Sequence, residues 1–165
     1  MPIIDEIYEN WMGETQREKI FKILKEVKVQ KSAKVLDIGC GPGFLEEKIP
    51  WAVAVDINPK YLEKIKGEKI LASGDSLPYK KEFDFVFCVD IIHLLKNPRK
   101  IIDYAKPGGK LIITLFCNES NCKERFEKLK EIFFDLKLER EFLAKAGKEW
   151  DAVCIFKISH SDNLG

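Results

Sequence analysis

The chain predicts an α/β fold, a mostly parallel sheet with helices on both faces and an antiparallel hairpin at its end, and three features carry that prediction. Short β-branched runs alternate with helical patterns along most of the chain. Those runs are nearly continuous in apolar residues, as strands buried on both faces are. The last two, L-K-L-E-R-E-F-L-A and W-D-A-V-C-I-F-K-I, are separated only by a short stretch containing A-G-K-E. A parallel pair needs a connection of about a dozen residues or more, so this pair is a hairpin.

The elements follow in order. Thr15 to Glu18 has capping-box spacing, and Ile20, Ile23, Leu24 and Val27 recur at helical intervals, which predicts an amphipathic helix starting there. A-K-V-L-D-I-G is the first strand and residues 52–57, A-V-A-V-D-I, the second. Asn58 and Pro59 supply an N-cap and a first-turn proline for a helix that ends at Gly67. K-I-L-A-S-G and F-D-F-V-F-C-V-D are the third and fourth strands, and Asn97-Pro98 opens another helix. After a P-G-G turn comes the fifth strand, K-L-I-I-T-L-F. A helix with Phe126, Leu129, Ile132 and Phe133 on one face then leads into the hairpin.

At 165 residues, with 45% hydrophobic and 11% aromatic side chains, the chain has core material for a single domain spanning residues 1–165. Residues 1–30 form an N-terminal helical segment whose Tyr8 and Trp11 either pack on the sheet or serve as a lid, and residues 159–165 read as a frayed polar tail. Lys and Arg number 28 against 27 Asp and Glu, so overall charge marks neither a nucleic-acid nor a membrane partner. The N-terminus has no basic region followed by an apolar stretch, and no apolar run approaches the roughly 18 residues of a membrane span. A cytoplasmic protein is the expectation. Cys40, Cys88, Cys117, Cys122 and Cys154 are odd in number and lack C-x-x-C spacing, which reads as buried thiols, with no metal site expected. Lys and Glu dominate the charges and Gln occurs only at Gln16 and Gln30, a thermophile-like balance.

The chemistry concentrates in V-L-D-I-G-C-G-P-G, residues 35–43. Glycines after a strand let bare backbone approach a ligand. The dinucleotide fingerprint G-x-G-x-x-G fails here: counted from Gly39 the third glycine is Phe44, and counted from Gly41 it is Glu46. Asp37 would also repel a pyrophosphate, whereas an ammonium or sulfonium would be attracted. A second acid, Asp56, ends the second strand, where a carboxylate can accept both hydroxyls of a ribose. A third, Asp75, follows the third strand. Ligands of open α/β sheets sit along that carboxyl edge.

Taken together, V-L-D-I-G-C-G-P-G, V-A-V-D-I-N-P, G-D-S-L-P-Y-x-x-x-F-D and K-P-G-G-K-L-I-I resemble the successive motifs of class I S-adenosylmethionine-dependent methyltransferases, close to the small, type 11-like domain, over residues 33–116. The resemblance implies a Rossmann-like three-layer αβα sandwich with about seven strands, a terminal antiparallel hairpin, and S-adenosylmethionine as cofactor with S-adenosylhomocysteine as product. Carried over by position, Asp37, Gly39, Cys40, Gly41 and Gly43 would line the methionine end. Asp56 would hold the ribose, Ile57 would pack on the adenine, Asp75 and the Ser76 N–H would read its edge, and Val89 would offer backbone near the methionine amine. His93, beyond the fourth strand, is the candidate catalytic base, with a structural histidine as its rival.

The chain departs from that family in two places. The stretch from Pro98 to Pro107 is about one helical turn short, and no long insertion follows the fifth strand. Acceptor recognition is then left to the N-terminal segment, the loop after the fourth strand, or a partner subunit or second copy. The expected function is in-line transfer of the sulfonium methyl to an unidentified acceptor, preferably a small molecule, with nucleic acid and protein left open. The alternatives are a non-catalytic S-adenosylmethionine-binding subunit that docks to an enzyme and, behind it, an NAD-dependent oxidoreductase.

Overall fold

A computed structural model describes residues 2–160, with side chains from residue 12 onward. The readings of Tyr8, Trp11 and residues 161–165 lie outside what it describes. Helix α1 (Pro2–Glu26) precedes strand β1 (Val35–Ile38). Then follow α2 (Phe44–Lys48), β2 (Val53–Asp56), α3 (Pro59–Leu62), β3 (Lys69–Leu71) and β4 (Phe83–Val89). Two 3-10 segments, Ile92–Leu94 and Pro98–Tyr104, lead to β5 (Ala105–Cys117). The chain closes with α4 (Cys122–Ile132), β6 (Lys137–Ala146) and β7 (Glu149–Lys157).

The seven strands form one sheet in the order β3-β2-β1-β4-β5-β7-β6. Pairing is parallel from β3 through β5, and β7 runs antiparallel to both β5 and β6. The terminal hairpin and the Rossmann-like α/β architecture are therefore as the sequence predicts. No helix among the described residues is long and apolar enough to cross a membrane.

Side-chain alternation divides the core into two layers. Val35, Phe85, Phe87, Ile112, Val153 and Ile155 meet Ile20, Ile23 and Val27 of α1 and Leu45 of α2 on one face. Leu36, Ile38, Val86, Ile113 and Phe156 turn to the other face, against Ile101, Tyr104, Leu129 and Phe133. A central strand thus alternates which layer it feeds while remaining apolar throughout. Cys40, Cys88, Cys117 and Cys154 are buried free thiols, and Cys122 is partly exposed.

Four local readings need correction. The first helix begins at Pro2, so the capping-box residues Thr15 and Glu18 lie inside it, and Thr15 is buried against the body of the protein. Asn58 does cap the third helix, accepting from the Lys60 N–H at 3.1 Å with Pro59 in the first turn, but that helix ends at Leu62 rather than Gly67. The Lys69 ammonium occupies the carbonyls of Leu62 and Ile65, acceptors that a longer helix would use. Asn97-Pro98 opens a 3-10 segment without a side-chain cap, and the Asn97 N–H donates to Asp75. The P-G-G segment lies within β5: Phe83 pairs with Ala105 but Phe85 with Lys110, so residues 106–109 bulge from the ladder around Gly108 at φ 79°.

Phe133 and Phe134 make an internal control for the packing. Phe133 is wholly buried with its ring 5.2 Å from that of Phe156, whereas Phe134 is 76% exposed. Phe133→Ala should destabilise the protein by about 3 to 5 kcal/mol and Phe134→Ala by less than about 1 kcal/mol, read by urea denaturation. Equal effects would contradict this core.

Candidate functional site at the carboxyl edge of the sheet

The glycine loop after β1 is bent by backbone that only glycine adopts readily. Gly39, Gly41 and Gly43 have φ of 73°, 53° and 91°. The N–H groups of Gly39 and Cys40 both donate to the Val55 carbonyl, at 2.7 and 2.9 Å, which pins the loop to β2. A Cβ on Gly39 would fall 2.7 Å from the Ile91 side chain, and one on Gly43 would fall 2.5 Å from Ile65. At Gly41 a Cβ would meet nothing within 4 Å, so this turn faces open space.

Asp56 is locked beside that opening. Its Oδ2 accepts from the Gly41 N–H at 2.9 Å and its Oδ1 from the Asn58 N–H at 2.8 Å. Each oxygen keeps a further lone pair for a ligand. Ile57, next in the chain, is 74% exposed. Asp75 ties two loops together: Oδ1 accepts from the Ser73 hydroxyl and Oδ2 from the Asn97 N–H, at 2.7 and 2.9 Å. The Asn97 bond, then that of Ser73, holds the Asp75 carboxyl below its ordinary range. The Ser76 N–H donates to the Ser73 carbonyl at 3.2 Å, so the group assigned to the adenine edge already has a partner. Val89 ends β4 opposite Thr114, and His93 stands exposed on the 3-10 turn Ile92–Leu94.

The structure adds an acid that sequence reasoning passed over. Glu46, on the first turn of α2, faces Asp37, and both its carboxyl oxygens are shut from solvent with no donor N–H or O–H beside them other than a proton shared with the Asp37 carboxyl. Burial, then the nearby Glu46, pushes Asp37 well above the usual carboxylate range, and burial raises Glu46 as well. Two carboxyls so placed satisfy one another only by sharing a proton. Burial, then the neighbouring Asp37, likewise pushes the Cys40 thiol up. An organic cation brought to this corner would relieve the acids. The open turn at Gly41, the free lone pairs of Asp56 and the buried Asp37–Glu46 acid pair thus fit a nucleoside carrying positive charge.

A second buried group lies at the ends of β4, β5 and β7. Lys19 of α1, with no exposed side-chain surface, approaches Asp151 at 3.1 Å and Asp90 at 3.6 Å. The Thr114 hydroxyl lies 3.0 Å from Asp90 Oδ1 and 3.3 Å from Asp151 Oδ2. Asp90 has φ 61°, uncommon outside glycine, and its N–H donates back to Thr114. Lys19 was readable, because it sits four residues before Ile23 on the apolar stripe of the helix. Among the described residues no cluster of three His, Cys, Asp or Glu side chains is placed to hold a metal ion.

A family model described as a methyltransferase domain matches residues 12–156. The chain belongs to that family. This methyltransferase domain is 32% identical to an uncharacterized protein of Methanocaldococcus jannaschii, with 76% of the chain and 65% of that protein covered. It is 26% identical to the mitochondrial ubiquinone biosynthesis O-methyltransferase of Schizosaccharomyces pombe, covering 62% of the chain and 45% of that enzyme. The domain therefore spans about half the length of that O-methyltransferase and just under two thirds of the archaeal protein. Among solved structures, a chain of the complex between the Haloferax volcanii Trm112 methyltransferase activator and a methyltransferase superposes with TM-score 0.77 at 14% identity, covering 93% of this chain and 94% of that one. The N-methyltransferase NodS of Bradyrhizobium japonicum, solved with S-adenosylhomocysteine, gives 0.66 at 16% identity, covering 87% and 85%. At such identities the structures speak to the shared fold.

The buried acid pair predicts a pH dependence of stability. A carboxyl whose folded pKa is raised keeps its proton while the unfolded chain loses it, so the unfolded state binds fewer protons and stability falls as pH rises from about 4 through the raised values. Glu46→Gln should flatten that decline in denaturant titrations made at several pH values. An unchanged slope would show that Glu46 contributes nothing to it, the proton then being held by the buried Asp37 alone or by neither.

Proposed function

We propose that this domain catalyses methyl transfer from S-adenosylmethionine to a small acceptor bearing a hydroxyl group. The observation that carries the reading is the open turn at Gly41, bonded to Asp56 and adjoining a buried acid pair with no cation beside it among the described residues. In this reading Asp56 accepts the ribose hydroxyls, and Asp37 with Glu46 answers the positive charge of the methionine end. Gly39, Cys40, Gly41 and Gly43 line that end, Ile57 lies against the adenine, Asp75 and Ser76 flank its edge, and Val89 supplies backbone. The bound sulfonium supplies an already activated methyl group. The chain's own part is positioning and exclusion of water. The O-methyltransferase name of the similar ubiquinone-biosynthesis enzymes supports an oxygen acceptor.

S-adenosylhomocysteine should raise the thermal midpoint while NADH leaves it unmoved, with a gain of about 2.7 kcal/mol at a hundredfold excess over the dissociation constant. Asp56→Ala should stay folded and lose roughly 1.5 to 3 kcal/mol of binding by calorimetry, the worth of a charge-assisted hydrogen bond. Unaltered affinity in that variant would remove Asp56 from the site.

A second reading is that the domain works with a partner subunit, as a docking or an activated component. It is supported by the superposition on the Trm112-bound methyltransferase and by edge strand β3, whose Leu71 is exposed. Co-expression with an archaeal Trm112-type activator, followed by size exclusion, should then give a complex whose turnover exceeds that of the chain alone. Separate elution with equal turnover would reject it.

A further inference from the structure

The group at the ends of β4, β5 and β7 has the makings of an acid–base device. Asp90 joins the two parts of the carboxyl edge: it follows Val89, and the next residue, Ile91, lies over Gly39 of the glycine loop. Its carboxylate is 20% exposed while Lys19 and Asp151 are wholly buried behind it. One face of Asp90 is therefore open to solvent at the carboxyl edge and the other meets a closed network.

We propose that Asp90, held against Asp151 by Thr114 and Lys19, is the general base that removes a proton from the methyl acceptor. The acceptor is accordingly of the class protonated at neutral pH, a hydroxyl or an ammonium rather than a thiolate or carbanion. This rests on the methyltransferase reading above and moves the base from the exposed His93 to the end of β4.

Charge and geometry support the assignment. Lys19 brings one positive charge to two carboxyls, so the buried group is neutral when the carboxyls hold one proton between them. Ionising both would leave an uncompensated negative charge in a water-poor site. Burial, then the charge of Asp90, pushes the Asp151 carboxyl up to about 8, and Lys19 opposes this. A proton taken by Asp90 can be held jointly with Asp151, directly or across the Thr114 hydroxyl, whose oxygen lies within 3.3 Å of both. The other groups facing the pair are thiols: Cys88 on β4 and Cys117 on β5, both raised by burial. The Phe116 ring lies 5.3 Å from the Lys19 ammonium and closes that side. A base working near neutral pH combines the right protonation state with the strongest drive for proton transfer.

The step balances. The acceptor's O–H or N–H bond breaks and its proton passes to an Asp90 oxygen. The freed electron pair forms the bond to the methyl carbon, whose bond to sulfur breaks and leaves a neutral thioether. The proton then leaves through the exposed face of Asp90. Asp90 touches the acceptor in this scheme, while Asp151, Thr114 and Lys19 are positioning residues.

The test has three arms on the full chain. In carbon NMR of protein labelled at its aspartate carboxyl carbons, one signal should titrate near pH 8, disappear in Asp151→Asn and move in Asp90→Asn and Thr114→Val. Calorimetry with S-adenosylhomocysteine should give the same affinity for wild type and Asp90→Asn; loss of binding in wild type would instead refute the methyltransferase reading. Turnover should be followed by S-adenosylhomocysteine release from a series of phenols and primary amines of graded acidity. There Asp90→Asn should lower kcat roughly 10²- to 10⁴-fold, least for acceptors that ionise unaided, with His93→Gln within about tenfold of wild type. The proposal is overturned if every aspartate titrates below about pH 6, or if Asp90→Asn costs less than tenfold or the same factor for every acceptor.

Discussion

Parallel pairing of β1 with both of its neighbours is the constraint from which the site follows. Strand β1 lies between β2 and β4, where the strand order reverses, so the loop after β1 and the loop after β4 leave on opposite sides of one crevice. Because those strands point the same way, Asp37, Asp56 and the Val89–Asp90 corner all come to one edge. The Val55 carbonyl then accepts two N–H groups of the glycine loop and ties that loop to β2. An antiparallel neighbour would have carried one of these acids to the opposite rim.

Electrostatics give that edge its character. Negative groups gather there without a matching cation at the Asp37 corner among the described residues, and burial raises both carboxyls of that corner. At the other corner Lys19 meets the same need from within the protein. The two halves of the edge thus differ: one lacks a positive charge, and the other has its own. The first suits a cationic ligand and the second suits exchange of a proton. Buried ionic groups of this kind contribute little net stability compared with an apolar core of equal volume. Their presence in a chain with ample Ile, Val and Phe argues for use rather than for packing.

Helix α1 links the two. Its Ile20, Ile23 and Val27 dock on the sheet through apolar contact, and the same docking carries Lys19 beneath the ends of β4 and β7. Nearby, Arg17 pairs with Glu47 of α2 at 2.9 Å, one residue from the buried Glu46. Helix α1 therefore reaches the candidate site through its buried face.

The sequence alone determined the α/β class, the seven-strand sheet with its reversed final pairing, and the placement of an acid at the carboxyl end of each of the first two strands and another beyond the third. These are matters of period, turn chemistry and chain length between elements, and all are local. Local rules misjudged what distant atoms overrode. Lys69 took the carbonyls that would have extended α3. Only the tertiary structure brought Lys19, Asp90, Thr114 and Asp151 together, because their separation along the chain leaves no spacing to read. It likewise turned Glu46 toward Asp37, since a charged residue in the first turn of a helix looks the same in sequence whether it faces water or another acid.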